Sequence, residues 1–218
     1  MIGVLIASKA EWKVLLEVYN ITDDYLEKYP YGEYYTTNYK NKDIVFFRSG
    51  VRKVNVSGAV QYMIDKFELD EVINLGVCTS ACEELNYGDI LVPEGIINYD
   101  YLIRELTDEI KEEQIKDIDV PNISLDHAIG VLGTSDRSLV TWRDYTYLSS
   151  NGINASDKEA ASIYEICKKN NVKCIIIKGV SDKPIKSEDG INEQMEVYEY
   201  NLPIVMKKLM EDYLNEVI

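Results

Sequence analysis

The sequence contains one histidine, His127, in 218 residues. A histidine-rich metal site cannot be built from it, and a histidine-containing catalytic triad is not expected; the lone imidazole reads as structural or exposed. Four cysteines (Cys78, Cys82, Cys167, Cys174) show no paired CxxC spacing. The opening "MIGVLIASKAEW" lacks a basic region ahead of its apolar run and lacks a cleavage site. Together these features predict a reduced, cytoplasmic protein. No apolar run approaches the roughly 18 residues that a membrane helix requires. Positive charge is scarce: 23 Lys and Arg stand against 38 Asp and Glu, a formal charge of -15. That surplus repels polyphosphate backbones and anionic lipid, so nucleic acid and membrane are not expected partners and a small molecule is. Internal repeats and low-complexity linkers are also missing.

What remains is ordinary globular usage, 46% apolar and 28% charged. The length suits a single α/β domain over residues 1–218. Short apolar runs predict buried strands at 2–7, 43–47, 71–76, 89–93, 128–134 and 172–179. Helical patterns lie between them, at about 9–20, 53–67, 157–170 and 188–216. Alternation of this kind predicts a largely parallel sheet with helices on its faces. The stretch "YGEYYTTNYKNKDIVFF" has alternating and turn character around Asn41, Lys42 and Asp43, so a hairpin makes the sheet mixed. The charge-rich segment 103–120 reads as a solvated helix or an excursion.

In open α/β sheets, ligands bind beyond the carboxyl ends of the strands. Polar residues stand there at "SKAE" (8–11), "RSGVRK" (48–53), "GVCTSAC" (76–82), "NASDKE" (154–159) and "GVSDKP" (179–184). Ser8 to Glu11 and Ser156 to Glu159 both match the S-x-x-E capping box, in which the glutamate simply starts a helix. The "GVCTSAC" segment is a weak phosphate cradle, because Gly76 is its only glycine. Asp182 has no capping pattern to account for it, and it reads equally as a group presented to a ligand or as an ordinary turn before Pro184.

The order of "SGVRKVNVSGA", "INLGVC", "NYGDILVPEG", "GTSD" and "NGINASDKEAASIYEICKKNNVKCIIIKGVSD" resembles the nucleoside phosphorylase-I superfamily over nearly the whole chain. Within it, the 5'-methylthioadenosine/S-adenosylhomocysteine nucleosidases are the most similar. The most specific piece is an E-A-A-x-I-Y helix start followed about twenty residues later by an apolar strand ending V-S-D. The resemblance implies a three-layer αβα sandwich around a mixed, partly barrel-like sheet. It implies cleavage of the bond between ribose C1' and a purine nitrogen, and a place in methionine salvage. Asp182 then corresponds to the acid that protonates purine N7, assisted by Ser181. Glu159 corresponds to the group that holds the ribose 2'-hydroxyl, and Glu11 to the one that activates water. Neither metal nor organic cofactor is implied. A homodimer or larger homo-oligomer is.

Asn74, where phosphorylases of the superfamily carry an arginine, and the first-helix Glu11 favour water as acceptor. Arg48 and Arg52 near a glycine turn are candidates for binding an anion, which keeps a phosphate-dependent phosphorylase as the alternative. Lys158 stands where the family has a methionine on the ribose, Ser138 where it has the base-stacking aromatic unless Leu139 or Trp142 substitutes, and Val77 where a hydroxyl is usual; these positions, with Cys78 beside Val77, are the candidate substrate-binding residues alongside Glu159 and Ser181. Those departures motivate a third reading, a nucleoside-binding homologue with little activity.

Overall fold

A computed structural model of the chain describes residues 1–101, 115–118 and 120–218. The segment read at 103–120 therefore lies outside the described residues except at 115–118 and 120.

Strand β1 (Ile2–Ile6) is buried along its whole length, which is why it is continuously apolar rather than alternating. It pairs in parallel with β4 (Lys42–Arg48) on one side and with β5 (Glu71–Ser80) on the other. β3 (Gly32–Tyr39) runs antiparallel to β4. The turn between them falls at Lys40 and Asn41, both with positive φ, the two-residue geometry that suits the twist of a hairpin. This sits one to two residues before the turn expected from the sequence. β2 (Glu27–Tyr29) adds to the edge of β3.

β5 runs four residues past its expected end. Its first part pairs with β1 and its last two residues pair antiparallel with β9 (Ala155–Asp157), while β10 (Lys173–Asp182) lies parallel along its other side. β9 pairs with β8 (Ala128–Thr134), β8 with β6 (Ile90–Asn98), and β6 with β10. β5, β9, β8, β6 and β10 thus close a ring, and β1, β4, β3 and β2 extend from it as an open sheet. β7 (Ile115–Asp117) pairs with β6. The sheet is mixed and partly barrel-like, as the family resemblance implied.

On one face lie α1 (Lys9–Val18) and α5 (Gly190–Lys208), packing Trp12, Leu15, Val205 and Met206 onto Ile73, Leu75 and Ile177. On the other lie α2 (Lys53–Phe67) and α4 (Ala160–Lys169). α2 buries Val56, Ala59, Val60, Met63 and Ile64, spaced by three and four residues so that they form one stripe. Each of the larger fully buried side chains, Val56, Val60 and Met63, contributes about 1.5–3 kcal/mol. α5 approaches β10 closely because position 179 is glycine: a Cβ there would fall 2.1 Å from Val205 Cγ1.

Three differences from the sequence reading have physical causes. A short helix, α3 (Trp142–Ser150), was not marked; Thr141 caps it through a bond from Asp144 N. The helix expected over 157–170 begins at Ala160, because residues 155–157 are held as a strand between β5 and β8. The closing helix, expected over 188–216, is α5 followed by a π turn at Leu209–Tyr213 and a last turn, α6 (Leu214–Val217), with Pro203 inside α5.

Candidate active site

The carboxyl ends of β1, β5, β9 and β10 face a common cavity of about 260 Å³. β1, β5 and β10 are parallel neighbours, so their polar carboxyl-terminal residues arrive on the same side by topology. β1 leads to Ser8 and Glu11, β5 brings Val77, Cys78 and Thr79, β9 leads to Lys158 and Glu159, and β10 ends in Ser181 and Asp182. Ser138 and Leu139, before α3, close another side.

Glu11 is 5% exposed. One carboxylate oxygen accepts a bond from Ser8 N at 2.8 Å while Ser8 Oγ accepts from Glu11 N at 3.1 Å, so the capping box at the start of α1 is formed. Its other oxygen accepts from Val77 N at 2.8 Å and lines the cavity. Capping and cavity-facing are therefore not alternatives for this residue. Gly76 makes the seat: a Cβ there would lie 2.8 Å from Glu11 Oε1.

The second S-x-x-E pattern does not form a capping box. Ser156 sits in β9 with its hydroxyl 2.8 Å from Tyr99 OH, and the N-cap of α4 is Glu159 itself, with no side-chain cap bond. Asp157 accepts from Ala160 N at 2.9 Å and from Thr134 Oγ1 at 2.6 Å, taking over the start of the helix. Glu159 is thereby left facing the cavity, accepting from Arg52 N at 3.0 Å and from Lys158 N at 3.3 Å. Burial, and then the charge of Asp157, push its carboxyl up from 4.5 to about 7, against the pull of Lys178.

Asp182 is 4% exposed. Its Oδ2 accepts from Gln194 Nε2 at 2.7 Å and from Thr79 Oγ1 at 3.0 Å, and its Oδ1 accepts from Ser181 Oγ. Burial raises its pKa; the three donors and the charge of Lys158 oppose that without cancelling it.

All nine residues read from the sequence as catalytic or substrate-binding line this cavity: Asp182, Glu11, Glu159, Ser181, Lys158, Val77, Cys78, Ser138 and Leu139. The two candidate anion-binding arginines do not. Arg48 faces Glu33, Nε to Oε2 4.0 Å, and Arg52 contributes its backbone N–H to Glu159 from a backbone with φ +75. The cationic side chains on the cavity wall are instead Lys158 and Arg137. Trp142 stacks on Tyr145, ring centroids 4.7 Å apart, and lies outside the cavity; among the described residues, the aromatic ring on its wall is Tyr198 of α5.

Sequence reading marked the 76–82 segment without singling out Thr79, and it missed Lys178, Gln194 and Tyr198. Lys178 is 1% exposed and pairs with Asp157 Oδ2 at 3.0 Å. A lysine inside a strand otherwise read as fully buried is a signal that a carboxylate must meet it. Gln194 and Tyr198 lie four residues apart on one face of α5, a spacing visible in sequence but indistinguishable there from a solvated helix face. Among the described residues, no group of three or more His, Cys, Asp or Glu side chains is arranged to hold a metal ion, and no helix is long and apolar enough to cross a membrane.

Known proteins resemble this chain in sequence and share its fold. A curated relative, the 5'-methylthioadenosine/S-adenosylhomocysteine nucleosidase of Oceanobacillus iheyensis, is 26% identical over 171 residues, covering 68% of this chain and 72% of that protein. The protein of that name from Buchnera aphidicola is 23% identical over 198 residues, covering 83% and 85%. Among solved structures, the Helicobacter pylori nucleosidase mutant with 5'-methylthioadenosine in its active site superposes with a TM-score of 0.79 at 19% identity, over 99% of this chain and 97% of that one. The futalosine hydrolase of the same organism gives 0.77 at 20% identity, with the same coverage. A family model described as "Phosphorylase superfamily" matches residues 1–130, more than half of the 218-residue chain. With a sheet that closes on itself behind a cavity of strand-end carboxylates, and with that match, the chain belongs to the phosphorylase superfamily.

Proposed function

We propose that the protein is a purine-nucleoside N-ribosyl hydrolase acting on substrates like methylthioadenosine and S-adenosylhomocysteine. One observation carries the reading: two buried carboxylates, Asp182 and Glu11, line one cavity in unlike surroundings. Asp182 is biased by burial toward its protonated form, while Glu11 accepts one backbone N–H on each oxygen. Cleavage of an N-glycosidic bond passes through a ribosyl cation, so one group must neutralise the leaving base and another must orient the nucleophile. Asp182 gives its proton to the purine as the C1'–N bond breaks. Water adds its oxygen to C1', and its proton goes to Glu11. Glu159, held by the N–H groups of Arg52 and Lys158, receives the ribose 2'-hydroxyl. The relatives named for methylthioadenosine and S-adenosylhomocysteine support this substrate class.

The test is release of free purine from methylthioadenosine, S-adenosylhomocysteine and adenosine, with and without phosphate, by the wild type and by Asp182→Asn. Phosphate-independent release that the substitution abolishes is expected. Release only with phosphate makes the protein a phosphorylase, and binding without release makes it a nucleoside-binding homologue.

The same reading includes a homo-oligomer, supported by exposed apolar side chains at Val51, Val54 and Tyr62 on and just before α2. It also includes a cytoplasmic place in methionine salvage, supported by four free cysteines and by the substrates named for the relatives.

A further inference from the structure

Gln194 reaches the acid from α5, on the opposite side from Ser181. Its Nε2 lies 2.8 Å from Leu139 O and 2.7 Å from Asp182 Oδ2. Leu139 O can only accept, so the atom between these two oxygens must be the amide nitrogen, and the orientation of the side chain is fixed by its surroundings. Both N–H bonds are thereby used, and Oε1 is left buried with no partner. A buried unpaired carbonyl is unfavourable by about 1–3 kcal/mol, so stability alone does not account for an amide here.

The two oxygens of Asp182 are consequently unlike. Oδ2 accepts from Gln194, which can only donate through that nitrogen, and from Thr79. Among the described residues, Oδ1 meets only Ser181 Oγ, which is also 3.3 Å from Cys78 O. A proton on Oδ1 can be received by Ser181 Oγ, whose own hydrogen then turns to Cys78 O, and both bonds on Oδ2 survive. A proton on Oδ2 makes that atom a poor acceptor and weakens the Gln194 bond. We infer that Gln194 is a positioning residue for the acid: by donating to Oδ2 of Asp182 it reserves Oδ1, shared with Ser181, as the oxygen that carries the transferable proton. This rests on the assignment of Asp182 as the acid.

The inference is tested on the pH dependence of kcat/KM for purine release. The ionisable groups that interact with Asp182 are Lys158 ahead of α4, Cys78 on β5, Tyr87 between β5 and β6, and Tyr198 on α5; all stay in place in the variants used. Gln194→Met keeps the volume and removes the donor. Loss of a donor to the carboxylate favours the protonated form, so the basic limb moves to higher pH, by about one unit. Thr79→Val moves it the same way by less. Glu159, which accepts the ribose hydroxyl in its ionised form, belongs to the opposite limb. A basic limb unmoved in Gln194→Met overturns the inference, even if kcat falls. Should Gln194→Met lose its near-ultraviolet dichroism, Thr79→Val decides, and an unmoved limb there overturns it equally. If Asp182→Asn releases purine at the wild-type rate, the acid assignment itself fails, whatever the Gln194 variant does.

Discussion

Lys178 Nζ lies 3.0 Å from Asp157 Oδ2, and both side chains are no more than 2% exposed. Burial disfavours the ammonium, but the carboxylates of Asp157, Glu159 and Glu11 outweigh burial and raise its pKa. One cation therefore holds together three acids that would otherwise repel one another beneath the cavity. Removing it strands a buried charge, which costs about 3–5 kcal/mol. Lys178→Met should lower stability by that amount in urea denaturation, and Lys178→Met with Asp157→Asn should recover part of it. A double variant no more stable than the single one would show that the pair is not the source of the loss.

Glu159 gives stability a pH dependence of definite sign. Its carboxyl titrates near 7 in the folded chain against an ordinary 4.5, so between these values the folded state binds the proton that the unfolded state has released. That contribution is fully present below about 4.5 and is lost as the pH rises through about 7. The loss is on the order of a few kcal/mol. Melting temperature followed from pH 4.5 to 8 should fall more steeply in the wild type than in Glu159→Gln.

Glu11→Gln keeps the shape of the side chain but replaces one acceptor with an NH₂ that must face a backbone N–H, of either Ser8 or Val77. With Glu11 as the proposed base, purine release should fall by about 10²–10⁴. Stability should drop by about 1–3 kcal/mol from the unmade bond. Steady-state rates and a urea midpoint separate the two effects.

Gly76→Ala probes the same carboxylate from behind. The added methyl would stand 2.8 Å from Glu11 Oε1 and 3.4 Å from Lys178 Nζ, so Glu11 has to move off the Val77 N–H. Activity should fall toward that of the Glu11 variant while near-ultraviolet dichroism stays close to wild type. Full activity in the alanine variant would show that Glu11 tolerates displacement.

Much of this site was legible because strand ends announce themselves: an apolar run stops and polar residues begin, as at Ile6–Ser8 and Val180–Asp182. The capping box at Ser8–Glu11 was legible as a helix start, but not that its glutamate also holds Val77. Its counterpart at Ser156–Glu159 misled, because pairing of 155–157 with β5 and β8 is non-local and overrides a local helix signal. Lys178 reads from sequence as one charge in a strand, and its three acidic neighbours come from two other segments, 8–11 and 154–159. Gln194 looks like a solvated helix residue until α5 is laid against β10, an approach that depends on Gly179.

β5 borders β1, β9 and β10 at once. The strands that lead to Glu11 and Glu159 and the one that ends in Asp182 are thus each set against β5 at the interstrand repeat of about 4.7–4.9 Å. The segment 135–141, which brings Arg137, Ser138 and Leu139 to the cavity wall, belongs to none of these strands, so its exchange would reshape that wall without resetting the pairing of β1, β5 and β10, which makes this scaffold suited to graft-based redesign of specificity.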